Sequence, residues 1–143
     1  MANEPCGGDI CVTPEEMKAM GERIDRAEAR IKELEAERDY LLRRSMEAGR
    51  CGFDADRDVG RSSNALVYYA FGAPEPTEDS YPVDASDLAA CYRARNNAPQ
   101  HLWPKMNALL PKYEAAVTER YPDAVRRVIE WTGGLKGKEA KQG

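Results

Sequence analysis

Four cysteines and one histidine are the side chains with the widest chemical reach in this 143-residue chain. Cys6 and Cys11 are separated by four residues, while Cys51, Cys91 and His101 lie far from them in the sequence. Structural zinc sites draw on two close ligand pairs, and only the first half of such a pattern is present. A Cys91–His101 nucleophile pair would need hydrogen-bond contact and a third group to orient the imidazole. Nothing in the sequence demands that arrangement. Cys91 reads as a small apolar residue on the inward face of a helix, and His101 as a residue in the first turn of a surface helix. There is no G-x-S-x-G, no phosphate-binding glycine loop and no H-E-x-x-H. The expectation is a protein that is not an enzyme, with no catalytic residues, no cofactor and no bound metal.

Charge offers a second kind of chemistry. Asp54, Asp56 and Asp58 place carboxylates at alternate positions, as a calcium loop does. Val59, however, stands where such a loop needs glycine, and Ala65 where it needs a bidentate glutamate. The segment reads as a solvated acidic loop. Residues 51–90 carry eight carboxylates against Arg57 and Arg61, whereas residues 91–143 carry ten Lys/Arg against five Asp/Glu. Asp54, Asp56, Asp58, Glu75, Glu78 and Asp79 could therefore imitate phosphates toward a basic partner. In the basic half, Arg93, Arg95, Lys105, Lys112, Arg120, Arg126 and Arg127 could meet phosphates or an acidic protein surface. The aromatics among them, Tyr92, Trp103 and Tyr113, read as core at helical spacing, and the net charge of −4 gives no general reason to expect nucleic acid.

The elements that position these groups are all helical. Thr13-Pro14-Glu15-Glu16 is a helix start, with Thr13 at N-cap, proline at N1 and Glu16 completing a capping box. From there the chain runs without proline for about 36 residues, or roughly 54 Å. Met17, Met20, Ile24, Ala27, Ile31, Leu34, Arg38 and Leu41 recur in steps of three and four, an a/d heptad interrupted once by Arg38. Such a stripe needs a cover, either a second copy or this chain's own C-terminal helices. With Met17 at a, a parallel dimer sets Arg23 against Glu28 and Arg30 against Glu35 of the other chain, which favours the second copy.

Residues 51–134 form a small helical domain in this reading, after a flexible segment over 1–12 and the long helix over 13–50. Residues 135–143 read as a disordered tail. Ser62 or Ser63 would cap a short buried helix through Phe71, and Asp84 or Ser86 another to about Asn96. Leu88, Ala89, Cys91 and Tyr92 face inward on the second of these. Pro99, Pro104, Pro111 and Pro122 each suit the first turn of a helix. Met106, Leu109, Leu110, Tyr113, Val117, Tyr121, Val125, Val128, Ile129 and Trp131 supply the remaining core, and Gly133-Gly134 closes the last helix. The fold class is thus all-α. No apolar run reaches the ~20 residues of a bilayer span, and the N-terminus lacks the basic start and apolar stretch of a secretory signal. The expected compartment is the cytoplasm, with the cysteines reduced.

Gly60-Arg61-Ser62-Ser63-Asn64-Ala65-Leu66, followed by Ser80-Tyr81-Pro82-Val83-Asp84-Ala85-Ser86-Asp87-Leu88-Ala89-Ala90-Cys91-Tyr92-Arg93, resembles small accessory proteins of temperate and Mu-like bacteriophages. Those carry a G-x-S-S-x-x-I/L turn and an S-Y-P-x-D-P-x-D-F/L-G-R-C-x-R motif. The likeness spans about residues 58–131. Ala85 replaces a proline of the pattern, and Ala89-Ala90 its Gly-Arg. The resemblance implies a phage or prophage protein inside a bacterial host cell, where small accessory proteins act by binding, for instance as inhibitors of a defence complex such as CRISPR–Cas. The expected partner is a host protein or complex, engaged by a homodimer and without a membrane. The competing expectations are a coiled-coil assembly protein of the phage particle and a DNA-associated early protein.

Overall fold

Thr13 and Glu16 begin the first helix by satisfying each other's backbone. The Glu16 N–H donates to Thr13 Oγ1 at 3.1 Å, and the Thr13 N–H donates to Glu16 Oε1 at 2.7 Å. This is the reciprocal box the sequence predicts. The computed structural model describes residues 12–50 and 60–137. Among them the fold is all-α and contains no strand. The helices are α1 (Pro14–Arg50), α2 (Arg61–Ala70), α3 (Ala85–Asn97), α4 (Trp103–Arg120) and α5 (Ala124–Thr132), with single 3-10 turns at Glu78–Ser80 and Gln100–Leu102. The calcium-like loop of residues 54–58, like Cys6, Cys11 and Cys51, lies outside the described residues.

The chain forms two compact units, Met1–Ala36 and Glu37–Gly143, so α1 contributes to both. In the first unit the helix is charged on most of its circumference, and Arg30 Nη1 bridges to Glu33 Oε1 at 3.0 Å. The second unit has its centre in α3, which packs against α2, α4 and α5. Alanines suit that central place, because their small side chains let neighbouring helices approach. Ala85, Leu88, Ala89, Ala90, Cys91, Tyr92, Ala94 and Arg95 are all buried. Asp84 caps the helix, its Oδ1 accepting from the Asp87 N–H at 2.9 Å, while Asp87 Oδ2 accepts from the Val83 N–H at 3.1 Å.

Several expectations are corrected here. The N-cap of α2 is Gly60, not a serine. Ser62 and Ser63 sit inside the helix and are buried; the Ser63 hydroxyl donates to the Gly60 carbonyl at 3.2 Å. Pro111 begins no helix but lies within α4. A mid-helix proline removes one hydrogen bond, yet Met106, Leu109, Leu110, Tyr113 and Val117 form one buried stripe on both sides of it and carry the helix through. Tyr121, Ile129 and Trp131 are not core, being 47%, 42% and 50% exposed. Tyr121 ends α4 in a non-helical conformation, and Trp131 falls on the flank of the face that α5 buries through Ala124 and Val128.

The last described residues are also ordered differently from the expectation. Gly133 closes α5 in the left-handed region, at φ 81°, its N–H donating to the Ile129 carbonyl at 2.7 Å. Lys136 and Gly137, assigned to a disordered tail, pack on the domain. The Lys136 N–H donates to Asn96 Oδ1 at 2.9 Å. A Cβ on Gly137 would approach the Trp103 ring to 3.0 Å.

Candidate functional site

Two faces of α1 divide its chemistry. The heptad residues Met17, Met20, Ile24, Ala27, Ile31, Leu34 and Leu41 are all exposed; Met17 reaches 60% and Leu34 47%. The face that docks inside the second unit is a different one, made by Glu37, Tyr40 and Arg44, which are buried. In heptad terms these are g, c and g positions. The Tyr40 hydroxyl donates to the Ala94 carbonyl of α3 at 2.7 Å. Arg44 Nη2 donates to Asn64 Oδ1 of α2 at 2.5 Å. Glu37 Oε2 lies 2.6 Å from His101 Nε2. Arg38, the charged heptad residue, is exposed and turns its guanidinium to the neighbouring Asp39 at 3.1 Å.

The geometry has a consequence for pairing. Glu37 and Arg44 are the g residues of the third and fourth heptads, and both are taken by the chain's own helices. Of the earlier g positions, Arg30 is engaged with Glu33 of its own helix at 3.0 Å, so an Arg30–Glu35 pair between copies would have to exchange that contact, whereas Arg23 would face Glu28. The sequence reading missed the docking face. Its signal was Tyr40, an aromatic residue off the heptad.

The Cys91–His101 pair does not form. His101 is held by Glu37, and Cys91 is fully buried beside Ser62, its S–H 3.5 Å from Ser62 Oγ. Burial raises the thiol to about 12, with Asp87 adding to the shift against the opposing Ser62 hydrogen bond and Arg44 charge. Only the thiolate is a nucleophile, so this thiol is inert. In a chain with Cys6, Cys11 and Cys51 replaced by serine, Ellman's reagent should leave Cys91 unmodified at pH 8 until denaturant is added. Rapid labelling of the folded chain would contradict the burial. Among the described residues no cluster of His, Cys, Asp or Glu could hold a metal ion.

The proposed phosphate-like acids are only partly in view. Glu75, Glu78 and Asp79 are exposed, but Glu75 Oε2 is 2.5 Å from Lys112 Nζ, which neutralises it in part. Glu78 lines a 420 Å³ groove with Tyr81, Pro82, Lys112, Glu119 and Arg120.

Most of the basic residues are engaged within the chain. Arg95 is buried against Trp103. Lys105 sits over the Tyr69 ring at 4.9 Å and donates to the Tyr69 carbonyl. Arg126 has Asp123 and Glu130 at 3.7 and 3.6 Å. Tyr92 and Tyr113 are core, as expected. The Tyr92 hydroxyl bonds Glu114, and burial, with that carboxylate beside it, raises its pKa. The Tyr113 hydroxyl donates to the Ser62 carbonyl at 3.2 Å.

Arg120 and Arg127 are exposed, and neither has a carboxylate within ion-pair distance among the described residues. Arg127 lies 5.2 Å from the centroid of the exposed Trp131 ring. Those two residues, with Tyr121, Asp84, Ala85 and Ser86, line a 240 Å³ hollow between the start of α3 and α5. Among the described residues, no helix is long and apolar enough to cross a membrane. No protein family, curated protein or solved structure matches the chain.

Proposed function

We propose that this chain is a non-enzymatic binding protein that acts as a parallel homodimer, with residues 17–34 as the seam and the helical domain offered to a protein partner. The observation that carries the reading is the division of α1 into two faces. One is docked through Glu37, Tyr40 and Arg44, and the other is an exposed row of Met17, Met20, Ile24, Ile31 and Leu34. Covering what remains exposed of each large side chain in that row contributes on the order of 1 kcal/mol. The Arg23–Glu28 and Arg30–Glu35 pairs add register and orientation more than stability. Charge complementarity makes the second copy the occupant, and the seam ends near Arg38, beyond which the domain holds the g positions.

The resemblance to phage accessory proteins supplies the setting. A dimer with duplicated surfaces suits an inhibitor of a multi-subunit host machine, such as a CRISPR–Cas defence complex, without catalysis. The test is the solution mass by light scattering, for the parent chain and for Leu34→Asp. The expected result is a dimer that becomes a monomer in the variant, because a carboxylate at a d layer is desolvated against its symmetry mate. A parent chain that is monomeric at tens of micromolar removes the homodimer. Growth beyond the dimer with concentration would support the competing assembly protein instead.

A further inference from the structure

The hollow between the start of α3 and α5 has the composition of a binding hot spot. Tyr121 and Trp131 are large aromatics left about half exposed, at 47% and 50%, on a domain that buries its other Trp more deeply. Trp, Tyr and Arg are the residues over-represented where protein interfaces concentrate their energy. Here all three types line one 240 Å³ concavity. Arg127 is the cation of that concavity, and no carboxylate of the described residues is in ion-pair distance of it. Its helix neighbour Arg126 shows the contrast, with Asp123 and Glu130 both in reach. The Asp84 carboxylate on the opposite wall is occupied in capping α3, accepting from the Asp87 N–H. The Tyr121 hydroxyl, the Trp131 indole N–H and the Ser86 hydroxyl have no hydrogen-bond partner among the described residues. The hollow therefore presents apolar rings together with an unneutralised cation and spare donors.

We infer that this hollow is the docking site for a protein segment that sets an acidic side chain beside an apolar one, the carboxylate meeting Arg127 and the apolar residue seating against Trp131 and Tyr121. The inference rests on the binding-protein reading and names the surface and partner chemistry for it. Arg120, sequence neighbour of Tyr121, offers a second cation on the adjoining groove. Single-stranded nucleic acid could also stack on Trp131, but it fits less well. Glu78 and Glu119 line that same adjoining groove, and a phosphate backbone tracking along it would meet carboxylates as often as cations. A protein segment carrying both charges and apolar side chains has no such conflict.

The test selects binders from a library of short random peptides against the full chain, then measures their affinities for variants shown to be folded by circular dichroism. Recovered peptides should share an Asp or Glu next to Leu, Ile, Phe or Tyr. Trp131→Ala and Arg127→Glu should each weaken them at least about tenfold. Arg126→Glu, whose guanidinium is already engaged, should leave them unchanged. Leu34→Asp should bind with the parent's affinity per chain, so that the docking site and the dimer seam are read separately. The inference is overturned if no peptide is recovered, if the peptides lack an acidic residue, or if they bind Trp131→Ala as tightly as the parent. It is also overturned if an oligo-dT strand competes them off at lower concentration than another peptide of the set.

Discussion

Replacing Arg95 with alanine should lower the stability of the helical domain by about 3–5 kcal/mol, read as a fall in the urea midpoint with little change in slope. Arg95 is 2% exposed, and its guanidinium is engaged through Nε, Nη1 and one face. Nε donates to Asn107 Oδ1 at 3.0 Å, and Nη1 donates to Asn96 Oδ1 at 3.0 Å and to the Lys136 carbonyl at 2.5 Å. The plane lies 3.7 Å from the centroid of the Trp103 ring. None of these acceptors is a carboxylate. Desolvation lowers the pKa of the group, but an arginine starts high enough to stay charged. The cation is held by amide dipoles and a π face, and in return it ties three elements together: the end of α3, the start of α4 and the segment after α5.

Alanine at position 95 would leave Asn107 and the Lys136 carbonyl without their charged donor and open the space beside Trp103. Lysine should restore little, because a point charge on a flexible stem cannot bridge both acceptors and stack at once. Amide exchange of residues 134–137 should accelerate more than that of α4. A variant whose midpoint matched the parent's, with those amides still protected, would mean that the C-terminal segment holds its place by other contacts.

The sequence makes the local devices of this fold readable and hides the long-range ones. The Thr13–Glu16 box, the Asp84 cap and the Gly133 closure depend on residues within a few positions, and each forms as its spacing predicts. The core of α3 and α4 follows from helical periodicity in the same way. Pro111 misleads because local propensity and tertiary burial disagree there, and burial wins. The docking face of α1 is hidden for a different reason. Its partners lie 20, 54 and 64 residues away, and they are polar groups that periodicity of apolar residues does not weigh. Tyr121 and Trp131 have apolar spacing that suits a core. Tyr121 falls at the end of α4 and Trp131 in the last turn of α5, and both line the hollow instead of the core.

Tyr40→Ala should cost about 3–5 kcal/mol, as the loss of a fully buried aromatic ring does. Tyr40→Phe should cost about 1 kcal/mol, for the hydroxyl alone. The ring is 1% exposed, and the hydroxyl reaches the Ala94 carbonyl inside the domain. It also lies beneath the Arg44 guanidinium, 5.8 Å from the ring centroid, so its removal loosens the Arg44–Asn64 bond as well. Amides of residues 37–46 should lose their protection in the alanine variant before those of α3 do.

Because the proposed seam ends near Arg38, the same variant should keep the solution mass of the parent below its unfolding midpoint. The combination matters for the two-face reading of α1. If Tyr40→Ala dissociated the dimer while the domain stayed folded, the docking contacts and the seam would be one cooperative surface. The heptad stripe would then not be an independent element. If the midpoint did not move, residues 37–46 would contribute nothing to the domain's stability. The g positions at Glu37 and Arg44 would then be free to extend the pairing through Leu41.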